Sequence, residues 1–224
     1  MIDFLIIGGG VAGVSAAARL SELGSVILLE AEDGLAYHAS GRSAALYEQN
    51  YGKPSTVALN KASLDFHREA DVLSTRGLLL ISQAEEVDAF EADRTDMQLD
   101  LISVADAQSM IPILDEKVIT RAAYDPDAWD IDTDKLIQTF AKITRRNGGE
   151  IKTKSAVKSI ERNDHGWAIA TGAETYESKH IVNAAGAWVD EIAKLAGVAP
   201  LGYTPLRRSM ERNLAAAGLD VSKW

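Results

Sequence analysis

The sequence contains no cysteine. That absence excludes disulfides and thiolate metal sites within these 224 residues. It also lacks any apolar run near the roughly 20 residues that a membrane-spanning helix needs. Glycines at 8, 9 and 10 cut the one candidate, close to the amino terminus, after a few residues. Basic charge is scarce, with 23 Lys and Arg against 33 Asp and Glu, a formal net charge of −10. Such a surface argues against nucleic acid or an anionic membrane as partner. Histidine is scarce too: His38, His67, His165 and His180 show no metal-ligand spacing, so each is read as structural and no metal is expected. No basic leader precedes the first apolar stretch, and a cytoplasmic location is the expectation. The length allows one or two domains with a sizeable core. Internal repeats, low-complexity tracts and flexible linkers are all missing, so a second domain is expected to be inserted in the first.

What is present begins with "FLIIGGGVAGVSAAARL", Phe4 to Leu20. An apolar run, a cluster of glycines and a small-residue stretch read as strand, tight turn and helix. In such a turn Gly8 permits the bend, Gly10 lets backbone approach a pyrophosphate, and Gly13 lets the helix pack on the strand. The helix start, at Val11 and Ala12, offers unpaired N–H groups and a positive dipole end to phosphates. The next run, "SVILLE", ends in Glu30, where a dinucleotide fold places an acid that accepts from ribose hydroxyls. Together these predict an α/β fold with a Rossmann-like βαβ unit and an inserted α+β substrate domain. They leave open which dinucleotide is held, and a tight βαβ turn without ligand has the same local pattern.

Past Glu30 the chain enters "AEDGLAYHASGRSAALYEQNYGKP", rich in small residues, instead of another short helix and strand. Small side chains let backbone run close to a long ligand, and Arg42 with Ser40 and Ser43 suits phosphates or a polyol. A surface loop has the same composition. Periodicity then predicts helices from Ser55 to about Leu73, from Ala84, and over "VADAQSMI" until Pro112, with "GLLLIS" as a strand. The stretch from Ala122 to Ile131 reads as an acidic loop, and its aspartates lack the glycine and terminal glutamate of an EF-hand. A helix from about Asp132 to Arg146 stops at Gly148-Gly149. Short antiparallel strands follow, "AVKSIER", "GWAIATG" and "ETYES", then a further strand, "HIVN", a small-residue turn and a last helix.

The order GGGVAG, Glu30, YHASGRSAA, DPDAWDIDTDKL and VNAAGAW resembles the FAD-dependent amine and amino-acid oxidoreductases of the D-amino-acid oxidase superfamily, and within it is most similar to the D-arginine dehydrogenases. The likeness runs through nearly the whole chain. It implies FAD as cofactor, with residues 1–50 and 145–200 as a discontinuous FAD-binding domain and residues 51–144 and 201–224 on the substrate side. It implies that Gly8, Gly10, Val11, Ala12 and Gly13 face the pyrophosphate and Glu30 and Ala31 the adenosine ribose. Ser40, Gly41, Arg42, Ser43, Ala44 and Ala45 would line the phosphate and flavin side. Val157 would meet the adenine region through its backbone, and Ala184, Ala185, Gly186 and Trp188 would border the cofactor. With no cysteine, a cysteinyl flavin link within the segment is excluded.

The resemblance further implies oxidative deamination of a D-amino acid or related amine, by hydride transfer from the carbon bearing the amino group. A bidentate arginine suits a carboxylate. By likeness Arg208 is that clamp, and Tyr51 donates a hydrogen bond to the same carboxylate. Departures matter as well. Leu78 stands where those enzymes pair the substrate guanidinium with a glutamate, and Leu46 where they have a histidine. Both make an apolar or neutral substrate the expectation, although Glu48 lies close in sequence and would restore a partner for a cation. The chain also ends where the family continues into further substrate-domain strands. The alternatives are a catalytically incomplete flavin-binding fragment, completed by a missing C-terminal half or by self-association, and a NAD(P)-dependent Rossmann oxidoreductase.

Overall fold

The computed structural model describes residues 1–43, 45–207 and 209. Along the chain, β1 (Ile2–Ile7), α1 (Val11–Leu20) and β2 (Val26–Leu29) come first, followed by β3 (Leu46–Tyr47), α2 (Pro54–Glu69), β4 (Leu73–Thr75) and β5 (Leu78–Ser82). Next are α3 (Val87–Met97), β6 (Asp100–Ile102), α4 (Val104–Met110), β7 (Arg121–Asp125) and β8 (Trp129–Ile131). The last are α5 (Thr133–Arg146), β9 (Glu150–Lys152), β10 (Val157–Asn163), β11 (Gly166–Thr171), β12 (Thr175–Asn183) and α6 (Val189–Leu195). They form two compact units, and the break falls after Ser43 and again after Asp132. The helix α5 therefore belongs with the amino-terminal strands. No helix among the described residues is long and apolar enough to cross a membrane.

The first unit is built on a six-stranded sheet in the order β10-β11-β12-β1-β2-β9. Strands β12, β1, β2 and β9 run parallel, while β10, β11 and β12 form an antiparallel meander. Side chains alternate across a strand. Leu5, Ile7, Ile27 and Leu29 accordingly share a face and pack with Ile160, Ile169 and Tyr176 of the meander. The fully buried Ile6 and Leu28 lie on the opposite face, where α1 contacts β1, β2 and α5. Gly13, Val14, Ala17 and Ala18 form the buried stripe of α1, and such small side chains bring its axis close to the strands. In α5 the buried stripe is Leu136, Ile137, Phe140, Ala141 and Thr144, with a helical period that matches its sequence pattern. Arg145 and Arg146 sit at its negative end, and Gly148, at φ +84°, turns the chain away.

One difference from the sequence reading lies in β12. "ETYES" and "HIVN" are a single nine-residue strand, whose residues pair with both β11 and β1. Polar Glu177, Lys179 and His180 occupy its exposed positions, which disguised its continuity as a break.

The second unit has two small antiparallel sheets, β3-β8-β4 and β5-β7-β6. Helix α2 ends at Glu69, short of the expected Leu73, because Asp71 takes a left-handed conformation at φ +53° and sends buried Val72 into the unit. The stretch read as an acidic loop contains β7 and β8. Its buried side chains are the small Ala122, Ala123 and Ala128, so the apolar alternation was weak. The acids instead shape the turn, where the Asp127 N–H donates to Asp125 Oδ1 at 2.8 Å. Ser103 caps α4 by accepting from the Asp106 N–H at 3.0 Å.

Candidate functional site

In an open parallel sheet, ligands sit beyond the carboxyl ends of the strands. Those ends converge here through backbone hydrogen bonds. The Gly8 N–H donates to the Leu29 carbonyl at 2.8 Å, and the Ala184 N–H to that of Ile7 at 2.9 Å. Glu30 and Ser155 likewise tie the end of β2 to the end of β9, with Glu30 N–H to Lys152 O and Ser155 N–H to Glu30 O at 2.8 Å each. This brings Gly8, Glu30, Ala184 and the chain leading to Val157 to one end of the sheet.

Each glycine of the turn has its own constraint. Gly8 lies at φ +111°, and a Cβ there would run into the Ala184 carbonyl oxygen. A Cβ on Gly13 would strike the Gly8 carbonyl oxygen, so only glycine lets α1 approach the turn. Gly10 is different: a Cβ there would meet only Ser40 Oγ, at 3.2 Å. Its freedom is therefore toward open space rather than toward the fold. Val11 and Ala12 begin α1 exposed, where the first-turn N–H groups have no preceding turn to bond. Ser40 Oγ accepts from the Val11 N–H at 3.0 Å.

Glu30 is half-buried, and its carboxylate accepts from the Gly9 N–H at 2.5 Å and the Glu32 N–H at 2.8 Å. One amide on each oxygen fixes the carboxylate and leaves a lone pair on each for a diol. Beyond exposed Ala31, the loop folds back on the turn: the Ala36 N–H donates to Gly9 O and the Gly41 N–H to Ala36 O, both at 2.9 Å. Ala39–Arg42 form one 3₁₀ turn. Arg42 is exposed; its Nε donates to the Tyr37 carbonyl at 3.0 Å and its guanidinium lies 5.2 Å from the Tyr37 ring centre. Ser43 is exposed and Ala44 lies outside the described residues. Ala45 heads the second unit, and its carbonyl accepts from the Ile131 N–H at 3.0 Å.

On the other side of the turn, Ala185 packs on the core and Gly186, at φ +54°, faces open space. Trp188 is exposed and its ring centre lies 4.7 Å from that of His38. Two positioning groups escaped the sequence reading. Asn183 Nδ2 donates to the Val189 carbonyl at 2.8 Å, and its Oδ1 accepts from the Ala185 N–H, holding the VNAAGAW turn in shape. His38 joins Trp188 to Glu32 through a 2.9 Å contact with Glu32 Oε1. Both stood inside quoted motifs, where small residues drew the attention.

The arrangement fits a long dinucleotide. Glycine-lined backbone, a helix start, a fixed carboxylate and an arginine lie in the order that adenosine, pyrophosphate and a further group require.

In the second unit, Leu46 is half-buried in β3, opposite Asp130. Leu78 is half-buried in β5 and packs on the cluster of Phe90, Leu99 and Ala123. Tyr51 is 64% exposed, more open than a packing ring would be. Glu48 is only 5% exposed, and its Oε1 accepts from the Asn50 N–H at 2.8 Å. Burial, with Asp125 and Asp127 as negative neighbours, pushes its carboxyl up to about 7. Arg208 lies outside the described residues.

The family model for the FAD dependent oxidoreductases (DAO) matches residues 3–213. Human mitochondrial dimethylglycine dehydrogenase is 28% identical, over 88% of this chain and 24% of its own length. Among solved structures, glycine oxidase from Geobacillus kaustophilus superposes with a TM-score of 0.78 at 22% identity, over 88% of this chain and 58% of that one. An FAD-bound L-alpha-glycerophosphate oxidase from Mycoplasma pneumoniae superposes with a TM-score of 0.76 at 22% identity, over 88% and 57%. The chain thus spans about a quarter of the length of that dehydrogenase and a little over half of those two oxidases, and D-arginine dehydrogenase is not among these relatives. The match over nearly the whole chain also decides against the NAD(P)-dependent alternative: this chain belongs to the FAD-dependent oxidoreductase family, and the dinucleotide of its glycine turn is FAD.

Proposed function

We propose that the chain takes part in the FAD-dependent oxidative deamination of a D-amino acid with an apolar or neutral side chain, the imino acid product being hydrolysed to a 2-oxo acid and ammonia. The observation that carries the flavin part is the convergence of Gly8, Glu30, Ala184 and the Ser40–Arg42 turn at the carboxyl end of the parallel sheet. When bound, FAD supplies the hydride acceptor. The chain's own residues bind and orient. Backbone at Gly10, Val11 and Ala12 with Arg42 would hold the pyrophosphate, Glu30 beside Ala31 the ribose, and Val157 the adenine. Ser43, Ala44 and Ala45 are assigned to the flavin side, and Ala184, Ala185, Gly186 and Trp188 to the border of the cofactor.

Arg208 is assigned the substrate carboxylate, with Tyr51 donating a second hydrogen bond. The apolar preference is supported by Leu46 and Leu78. A leucine that packs on Phe90 and Leu99 offers no partner to a cationic side chain, and leaving such a charge unpaired in a desolvated site costs on the order of 2–5 kcal/mol. A second reading is favoured by the 28% identity to dimethylglycine dehydrogenase: an N-alkylated glycine in place of the D-amino acid. A third is favoured by exposed Leu201, Tyr203 and Leu206, at 77%, 66% and 82%. In that case the chain is a flavin-holding part that works with a C-terminal half or a second copy covering those side chains. A cytoplasmic location belongs to the same proposal.

The test is anaerobic bleaching of the bound flavin's visible absorbance by a substrate panel. D-leucine, D-methionine and D-phenylalanine should reduce it faster than D-arginine or D-lysine. Faster reduction by N,N-dimethylglycine would move the assignment to the N-alkyl amines. Reduction only by a 2-hydroxy acid would overturn the amine reading altogether.

A further inference from the structure

The chain beyond α6 is held by one side chain. Every residue from Gly197 to Arg207 is exposed, and none lies in a helix or strand. Neither burial nor ladder pairing therefore fixes this segment. Asp190 does so: its Oδ1 accepts from the Leu201 N–H, and its Oδ2 from the Gly202 and Tyr203 N–H groups, all at 2.9 Å. These are charge-assisted contacts, stronger than amide-to-carbonyl bonds. Three successive amides converge on one carboxylate because Gly202 takes φ +84°, which opens the kind of backbone concavity that receives an anion. Pro200 and Pro205 flank the gripped residues. Each lacks an N–H and keeps its φ near about −65°, so the arm is stiff on both sides of the carboxylate.

Asp190 stands two residues after Trp188, where the cofactor-border turn passes into α6. The same turn is braced from its other side by Asn183, whose Nδ2 donates to the Val189 carbonyl at 2.8 Å and whose Oδ1 accepts from the Ala185 N–H. A series of side-chain contacts to backbone thus runs from the end of β12, through the turn, to Leu201–Tyr203. Five residues beyond Tyr203 in the sequence is Arg208, to which the reading above assigns the substrate carboxylate. We infer that Asp190 is a positioning residue for substrate, setting the register of the arm that leads to Arg208 against the cofactor-border turn, an inference that rests on that assignment. Asp190 itself touches neither substrate nor cofactor; it decides where the arm departs. Removing its carboxylate should leave FAD held and set the arm free, so affinity for a substrate carboxylate falls while affinity for the cofactor does not.

The experiment uses the full chain loaded with FAD and needs no turnover. Hydrogen exchange at the Leu201, Gly202 and Tyr203 amides reads the Asp190 contacts directly. Benzoate, a carboxylate with no hydride to give, reads the carboxylate site through the flavin's visible absorbance, with benzamide as the neutral control. The three amides should exchange slowly in wild type despite their exposure, at the rate of unprotected chain in Asp190→Ala, and at an intermediate rate in Asp190→Asn, which keeps one acceptor oxygen. The Kd for benzoate should rise about tenfold in Asp190→Ala and less in Asp190→Asn, with the Kd for FAD within about twofold of wild type. A merely structural contact would lower Tm without separating the two affinities. Free exchange of the three amides in wild type, equal losses of FAD and benzoate, or benzoate binding unchanged in Asp190→Ala but lost in Arg208→Met would each overturn the role given to Asp190. Benzoate that wild type does not bind, or that Arg208→Met binds as tightly as wild type, would instead overturn the Arg208 assignment and the inference with it.

Discussion

The two units handle polar groups in opposite ways. Where the parallel strands of the first unit end, each fixed group has a partner: Glu30 holds two amides, Ser40 caps α1, and Asn183 satisfies both ends of its turn. Among the described residues, the buried side-chain polar atoms without a partner, Glu48 Oε2, His67 Nδ1, Ser82 Oγ and Trp129 Nε1, all fall in the second unit. Cores differ in the same sense. Most of the larger side chains under 2% exposed, Leu5, Ile6, Val14, Leu28, Leu29, Ile137 and Ile169, belong to the first unit, against Val72 and Leu99 in the second. The 16-residue helix α2 buries no residue at all. A satisfied, well-cored frame suits a rigid cofactor cradle.

The contrast predicts effects of graded size. Leu28→Ala should destabilise the first unit by about 3 kcal/mol, from lost burial plus a cavity, whereas Leu59→Ala in the second, at 71% exposed, should stay within roughly 0.5 kcal/mol. Chemical denaturation of both variants measures the gap, and equal losses would erase the distinction. Slightly smaller is Gly8→Ala. Its Cβ meets the Ala184 carbonyl oxygen at a φ that side chains avoid, so a cost of about 2–3 kcal/mol is expected together with loss of FAD uptake. Gly10→Ala sharpens the same point, since it meets only Ser40 Oγ at 3.2 Å. It should leave stability nearly unchanged while weakening FAD, read by thermal melting beside flavin fluorescence.

Next in size is the pH dependence of the second unit. Glu48 has its folded-state value raised to about 7 from 4.5. A raised carboxyl favours the fold while protonated, so stability is fully present below about pH 4.5 and is lost as pH climbs to about 7. Allowing for solvent reaching the carboxyl, the change is on the order of 2 kcal/mol. Glu48→Gln should flatten that slope and leave the protein more stable than wild type at pH 8. An unchanged slope would mean that Glu48 is not the group responsible. The smallest effect is expected from the surface pair Arg76–Asp130, 2.7 Å apart and partly exposed. Asp130→Asn should cost about 0.5 kcal/mol and less in high salt.

Legibility in the sequence follows the same division. The first unit could be read because its demands are local: Gly8 must bend, Gly13 must let a helix in, and Glu30 must end a strand, all within 23 residues. The stripe of α5 was equally plain. Lost from view were features that depend on long-range pairing. The strands β7 and β8 bury alanines rather than large apolar side chains, and the continuity of β12 shows only once β1 and β11 both pair with it. Glu48 was singled out by sequence position alone. Its burial, and the approach of Asp125 some 77 residues later, arise from tertiary structure that composition does not encode. Leu78 illustrates the reverse, since its packing on Phe90 and Leu99 gives it a structural duty beside the substrate preference proposed for it.

The central claim is that the carboxyl end of the parallel sheet is an FAD cradle assembled from Gly8, Gly10, Glu30 and the Ser40–Arg42 turn. It is tested most directly by equilibrium titration of the folded chain with FAD and NAD side by side, followed by flavin fluorescence and by calorimetry, for wild type and Glu30→Ala. FAD should bind at one per chain and NAD should not compete. Glu30→Ala should remain folded and lose at least tenfold in FAD affinity, because two amides and a ribose diol lose their acceptor together. NAD binding with no uptake of FAD, or FAD binding indifferent to Glu30, would contradict the account.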